Sequence, residues 1–151
     1  MSSQDIAKLR GETGAGVMDC KRAYDEAKGD YKKALTLLAS SADAIAKKKA
    51  ERATEQGVVE AYVHAGKIGV LIEVNCESDF VAKNADFKLA VHNLAMQIAS
   101  MNPVDTAELM NQDYILDSSM SVEGYIKTLI LKIRENIQIK RFIRYELGEK
   151  N

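Results

Sequence analysis

The chain has 151 residues, 21 Lys and Arg against 22 Asp and Glu for a formal net charge of −1, and a hydrophobic content of 46%. That length suits one medium domain or two small ones, and the composition is that of an ordinary globular chain rather than a disordered one. A near-zero net charge supplies no overall field to hold nucleic acid or an anionic membrane, and no apolar run reaches the roughly 18 residues of a membrane span.

The opening Met1-Ser2-Ser3-Gln4-Asp5 lacks the charged and apolar regions of a secretory signal, so the cytoplasm is the expected compartment. Ser2 with Asp5 three residues on resembles a capping box, and Ile6 and Leu9 mark one apolar face. Gly11 and the run Thr13-Gly14-Ala15-Gly16 are expected to break this first helix and turn the chain. Val17, Cys20, Ala23, Tyr24 and Ala27 recur at helical spacing and predict a second amphipathic helix. Gly29 suits its end, and Asp30 suits the cap of a third helix carrying Tyr31, Ala34, Leu35 and Leu38. Ser40 to Gln56 is rich in Ala and Lys and poor in large apolar residues, which predicts a solvated, partly helical linker.

The period then changes. Val58–His64 and Ile68–Val74 are β-rich runs around the turn signal Ala65-Gly66-Lys67, so residues 57–76 predict a hairpin. From Phe80 the helical period returns, with Phe87, Val91, Leu94, Ala95 and Ile98 as its stripe and Asn102-Pro103 as its stop. Residues 104–121 read as irregular or weakly helical. Ile126, Leu129, Ile130 and Ile133 form another helical stripe. Ile137 to Tyr145 partly alternates as a third strand, with a slip near Phe142 that suggests a bulge or a strand covered on both faces. The expected fold is α+β: a three-helix domain over 1–40, a linker over 41–56, and over 57–151 a core of three antiparallel strands packed with helices.

Covalent and metal chemistry find little support. Two cysteines, Cys20 and Cys76, lie far apart and outside any CxxC spacing, and His64 and His92 are the only histidines. The glycines at 11–16 do not form GxxxxGK[ST] and follow a helix rather than a strand, and GxSxG, HExxH and EF-hand patterns are absent. No catalytic residue, cofactor or metal ligand is therefore expected. Lys47, Lys48, Lys49 and Arg52, with Lys140, Arg141 and Arg144, could serve a nucleic-acid binder. The balanced net charge and the lack of interleaved aromatics in the linker argue for a solvated face instead.

Two segments carry more information: Arg10-Gly11-Glu12-Thr13-Gly14-Ala15-Gly16-Val17-Met18-Asp19-Cys20-Lys21-Arg22-Ala23 and Gly69-Val70-Leu71-Ile72-Glu73-Val74-Asn75-Cys76-Glu77-Ser78-Asp79-Phe80-Val81-Ala82-Lys83. Both closely resemble the signature regions of the elongation factor Ts family, as does the stretch Ile133-Arg134-Glu135-Asn136-Ile137, and the likeness runs over nearly the whole chain. Each segment also has a local reading. In that reading the glycines make a tight turn, Ser78 or Asp79 is a helix cap, Phe80 a staple on its own helix, and Met18 core filler.

The resemblance implies a guanine-nucleotide exchange factor for elongation factor Tu, with a ubiquitin-associated-like three-helix head. It implies that Asp79 and Phe80, flanked by Ser78 and Val81, enter the partner near its Mg²⁺, and that Gly14, Gly16, Val17 and Met18 dock on the partner's nucleotide-binding domain. His64 and Gly66, in a His-turn hairpin, are a further implied contact or a plain turn. Ser78 stands where the family often has Thr. The long coiled-coil insertion and C-terminal module of larger members are missing, so the chain resembles a short type that pairs as a homodimer, with the third strand or hairpin edge as seam. The alternative is an interaction adaptor with a ubiquitin-associated-like head and no exchange activity.

Overall fold

The computed structural model describes residues 3–150. They group into two compact units. The first takes the chain up to Glu51 together with Gly124–Glu135, and the second takes Arg52–Glu123 and the chain from Asn136 onward.

In the first unit, helix α1 (Ser3–Thr13) runs through Gly11 instead of breaking there. A Cβ at Gly11 would meet nothing, and one interior glycine costs a helix only about 1 kcal/mol. The break comes at Gly14, whose φ of +70° ends the helix while its amide donates to the Arg10 carbonyl at 2.9 Å. The expected Ser2 cap lies outside the described residues; Asp5 accepts the Tyr24 hydroxyl at 2.7 Å. Helix α2 (Val17–Glu26) is followed by Lys28 and Gly29, both left-handed. Asp30 caps α3 (Tyr31–Lys49), its carboxylate accepting the Lys33 amide at 3.1 Å.

Helix α3 continues without interruption over 41–49. Ala34, Leu38, Ala42 and Ala46, at steps of four, form its buried edge, and three of the four are alanines, which is why the stretch reads as weakly apolar. Leu9, Cys20, Ala23, Leu38 and Leu131 share one buried cluster. Leu131 comes from α7 (Val122–Ile133), which from Gly124 onward belongs to this unit, with Lys127 bound to Asp43 at 3.0 Å.

In the second unit, strands β1 (Gln56–His64) and β2 (Ile68–Cys76) form the expected antiparallel hairpin, and β5 (Gln138–Glu146) lies antiparallel beside β2 to give the order β1-β2-β5. Close approach fixes Gly57, where a Cβ would stand 2.2 Å from the Val74 carbonyl oxygen. The slip in the third strand is a bulge. Glu73 pairs with Arg141 and Val74 with Ile139, which skips Lys140, two residues before Phe142.

Helix α4 (Asp79–Ala82) follows the hairpin, and α5 (Ala85–Met101) packs on β1 and β2, burying Phe87, Val91, Leu94 and Ile98 with Val70, Ile72 and Val74. Asn84 caps α5, its side-chain oxygen accepting the Asp86 and Phe87 amides at 2.8 and 3.3 Å. At the other end Asn102 turns left-handed, and the Arg144 guanidinium donates twice to the Ala99 carbonyl, at 3.1 and 3.3 Å.

Residues 104–121 are more ordered than their pattern suggests. They hold α6 (Thr106–Asn111) and a small hairpin of β3 (Asp113–Tyr114) and β4 (Asp117–Ser121). A side chain distant in sequence pins them. Gln97 is fully buried on α5, its amide donating to the Asp113 carbonyl (3.0 Å) and the Gln112 side chain (3.2 Å) and accepting the Ile115 N–H (2.8 Å). Among the described residues no helix is long and apolar enough to cross a membrane.

Replacing Gln97 by Met keeps the buried side chain's bulk and removes all three bonds, leaving part-buried partners without them. Urea unfolding is expected to show a loss of about 2–3 kcal/mol, and the Ile115 amide to exchange faster with solvent. An unchanged Ile115 exchange rate would show that Gln97 does not hold the small hairpin.

Candidate partner-binding site

The second signature segment crosses from β2 into α4. Ser78 sits between them with extended backbone, φ −120° and ψ 151°, and its hydroxyl accepts the Val81 amide at 3.2 Å. The cap expected from the sequence is therefore present, and it fixes which side chains face out. Val81 and Ala82 turn inward, at 7% and 4% exposure, while Phe80 between the cap and this pair stands 83% exposed. A phenyl ring left in water forgoes about 1.5–3 kcal/mol of burial, so its own fold does not use this ring as a staple. Val81, expected at the contact, is instead buried beneath the turn.

Asp79 lies beside Phe80 and receives the Lys83 ammonium at 2.8 Å, one helical turn on. The hydrogen bond to Asp79, and then its charge, push the Lys83 ammonium above its ordinary value. Both groups are largely solvent-exposed, so the pair contributes little to stability.

The root of the turn is held from below. The Cys76 thiol donates to the Ser78 carbonyl at 3.3 Å. The Glu77 carboxylate accepts the Asn136 backbone N–H at 2.9 Å and faces Arg52 at 3.6 Å, and the buried Asn136 side chain donates to the Arg52 carbonyl at 2.8 Å. Sequence reasoning missed this base. Asn136 lies in the closing motif, which carried the family likeness but not this contact.

The first signature segment makes the turn between α1 and α2. The Thr13 hydroxyl donates to the Leu9 carbonyl at 2.6 Å and accepts the Ala15 amide at 3.2 Å, and Ala15 is buried. Gly14 is left-handed, and Gly16 is the extended N-cap residue of α2. Val17 and Met18 follow at 49% and 66% exposure, which removes core filling as the role of Met18. Behind them Cys20 is buried, and burial pushes its thiol up.

The hairpin turn brings His64 and Gly66 together at the surface. Ala65 and Gly66 are both left-handed, and the Lys67 amide closes the turn on the His64 carbonyl at 3.0 Å. The Tyr62 hydroxyl meets His64 Nδ1 at 2.9 Å, and His92 Nδ1 lies 3.2 Å from Glu60. Among the described residues no group of three His, Cys, Asp or Glu could hold a metal.

One surface had not been singled out. On the face of the sheet opposite Val70, Ile72 and Val74, the residues Val59, Val63, Leu71, Ile143 and Tyr145 are all exposed. The register aligns Leu71 with Ile143, and Val63 and Tyr145 both flank Gly69. The signal lay in Val59, Ala61 and Val63 of β1 and Leu71 of β2, apolar residues on the alternation where a one-sided sheet shows polar ones. Of the basic residues considered earlier, Arg141 pairs with Glu73, Arg144 is nearly buried against Ala99, and Lys49 donates to the Arg134 carbonyl.

Comparison with known proteins agrees with the two segments. A family model described as Elongation factor TS matches residues 77–151, from Glu77 to the end of the chain. Elongation factor Ts of Thermotoga neapolitana is 40% identical over 188 aligned residues, covering 95% of each chain. That of Moorella thermoacetica is 37% identical, covering 99% of this chain and 96% of its own. That of a Nostoc species is 44% identical over 151 residues, 99% of this chain and 48% of its own. The Thermotoga match is longer than this chain by 188 − 151 = 37 positions, so that relative carries at least this many residues without a counterpart here. With such identity over nearly all of both chains, this chain belongs to the elongation factor Ts family of translation elongation factors.

Proposed function

We propose that this chain binds elongation factor Tu and accelerates its release of GDP, with Asp79 and Phe80 as the acting residues. The observation that carries this reading is the ring of Phe80, exposed at 83% on a turn that is capped by Ser78 and anchored by Val81. Burying it between elements of the partner supplies about 1.5–3 kcal/mol, enough to hold a displaced arrangement. The Asp79 carboxylate beside it disturbs the polar shell around the Mg²⁺ that binds the GDP β-phosphate. No covalent bond forms. The factor stabilises a nucleotide-poor form of its partner.

Linkage fixes the direction. A factor that binds the empty partner more tightly than the GDP-loaded one is itself weakened by nucleotide in the same ratio, at about 1.4 kcal/mol per tenfold. GTP entry therefore releases it. Val17 and Met18, presented by the Gly14–Gly16 turn, provide docking area separate from the acting residues, and His64 and Gly66 a further contact.

The homodimer forms through the open sheet face. Val59, Val63, Leu71, Ile143 and Tyr145 make a patch that a second copy can cover with the same patch under twofold symmetry. The sequence suggested the third strand or the hairpin edge as seam; the seam proposed here is the sheet face these strands share.

Phe80→Ala is expected to leave thermal stability unchanged, since the ring contributes nothing to its own core, and to slow the release of fluorescent GDP from elongation factor Tu by about 10- to 150-fold. Undiminished release by this variant would remove the mechanism; no acceleration by the parent chain would favour the adaptor. Leu71→Glu places a charge at the centre of the open face and is expected to convert a dimer to a monomer in sedimentation equilibrium. A parent chain that is already monomeric at tens of micromolar, a range where standard-sized interfaces of ordinary affinity are occupied, would refute the dimer.

A further inference from the structure

Arg134 follows directly on the last residue of α7 and stands at φ +70°. Residues with a Cβ resist this conformation, and helix ends commonly give the position to glycine. Its amide still donates to the Ile130 carbonyl at 2.8 Å, so the left-handed residue closes the helix. Its carbonyl accepts the Lys49 ammonium at 2.6 Å.

The side chain then runs to the first turn of α2, where the guanidinium binds the Asp19 carboxylate. Asp19 also faces Arg22 at 3.8 Å, and its side chain is only 18% exposed. The same guanidinium fills the space in front of Gly16, where a Cβ would stand 3.0 Å from Nη2 of Arg134. The stem of Lys132 lies against Gly14, 3.4 Å from where its Cβ would be. The C-terminal turn of α7 thus packs over the glycines that present Val17 and Met18, and the Arg134–Asp19 ion pair is part of that packing.

We propose that Arg134 is a positioning residue for the Val17–Met18 contact: its left-handed backbone directs the guanidinium onto Asp19 and fixes the first turn of α2 in its docking geometry. This rests on the reading of Val17 and Met18 as contacts with elongation factor Tu. A residue that served only to end α7 would be replaced without loss by glycine, which adopts this backbone freely.

The test is Arg134→Gly in the full chain, with Arg134→Lys beside it. In the chain alone, the hydrogen-bonded amides of Ala15 and Cys20 are expected to exchange about fivefold faster or more in the glycine variant, because the turn loses its brace while α7 keeps its end. In GDP release from elongation factor Tu, the concentration of factor giving half-maximal rate is expected to rise about three- to tenfold, with the maximal rate unchanged because Asp79 and Phe80 are intact. Lysine, which keeps the charge, is expected to recover part of both effects.

Unchanged exchange at Ala15 and Cys20 would overturn the brace, and so would an unchanged half-maximal concentration. If the parent chain fails to accelerate GDP release, the exchange reading falls and the docking role of Arg134 falls with it. The amide-exchange arm, which uses no partner, separates that result from a failure of the brace itself.

Discussion

The hydrogen bond from the Val81 amide to the Ser78 hydroxyl governs the site. An extended residue at 78 stops β2 and starts a helix of only four residues, far too short to persist by propensity. What keeps it is the cap at one end and the burial of Val81 and Ala82 at the other. With those two facing in, helical geometry leaves Phe80 facing out. The exposed ring is a consequence of how the turn is satisfied, so it keeps its orientation without making a contact of its own.

The same logic appears at the turn between α1 and α2. Thr13 bonds forward and back, Ala15 is buried, and Gly14 takes the backbone conformation that a side chain would resist. Val17 and Met18 are then carried by the first turn of a helix whose other side holds Cys20 and Ala23 in a core. In both places small or buried residues take up the structural demands, and the large apolar side chains are left over for the surface.

Local features were legible in the sequence; remote ones were not. The Asp30 and Ser78 caps, the hairpin around Ala65-Gly66, the stripe of α5 and the irregular third strand all follow from neighbours within a few residues, and all are present. Gly11 misled because a single exposed glycine lowers helix stability without ending the helix. The run 41–49 misled because alanines at four-residue steps bury well yet look bland. The small hairpin at 113–121 is bonded to the Gln97 side chain, and Glu77, just before the Asp79–Phe80 turn, to the Asn136 backbone. Both contacts are far away in sequence. The exposed sheet face was half legible, in Val59, Ala61, Val63 and Leu71, but which alternation stays in water is decided by where α5 lies.

The setting of Phe80 has a thermodynamic consequence for whatever it meets. A side chain that must first be ordered consumes part of its binding energy in lost rotational freedom, and a loop that must first fold consumes more. Here the backbone on both sides of the ring is already held, by the cap from Ser78 to the Val81 amide and by the Cys76 thiol on the Ser78 carbonyl, and chiefly the ring itself remains to be stilled. Most of the free energy of transferring the phenyl group out of water is therefore kept for whatever surface covers it. A finger of the same composition on a slack loop would keep less.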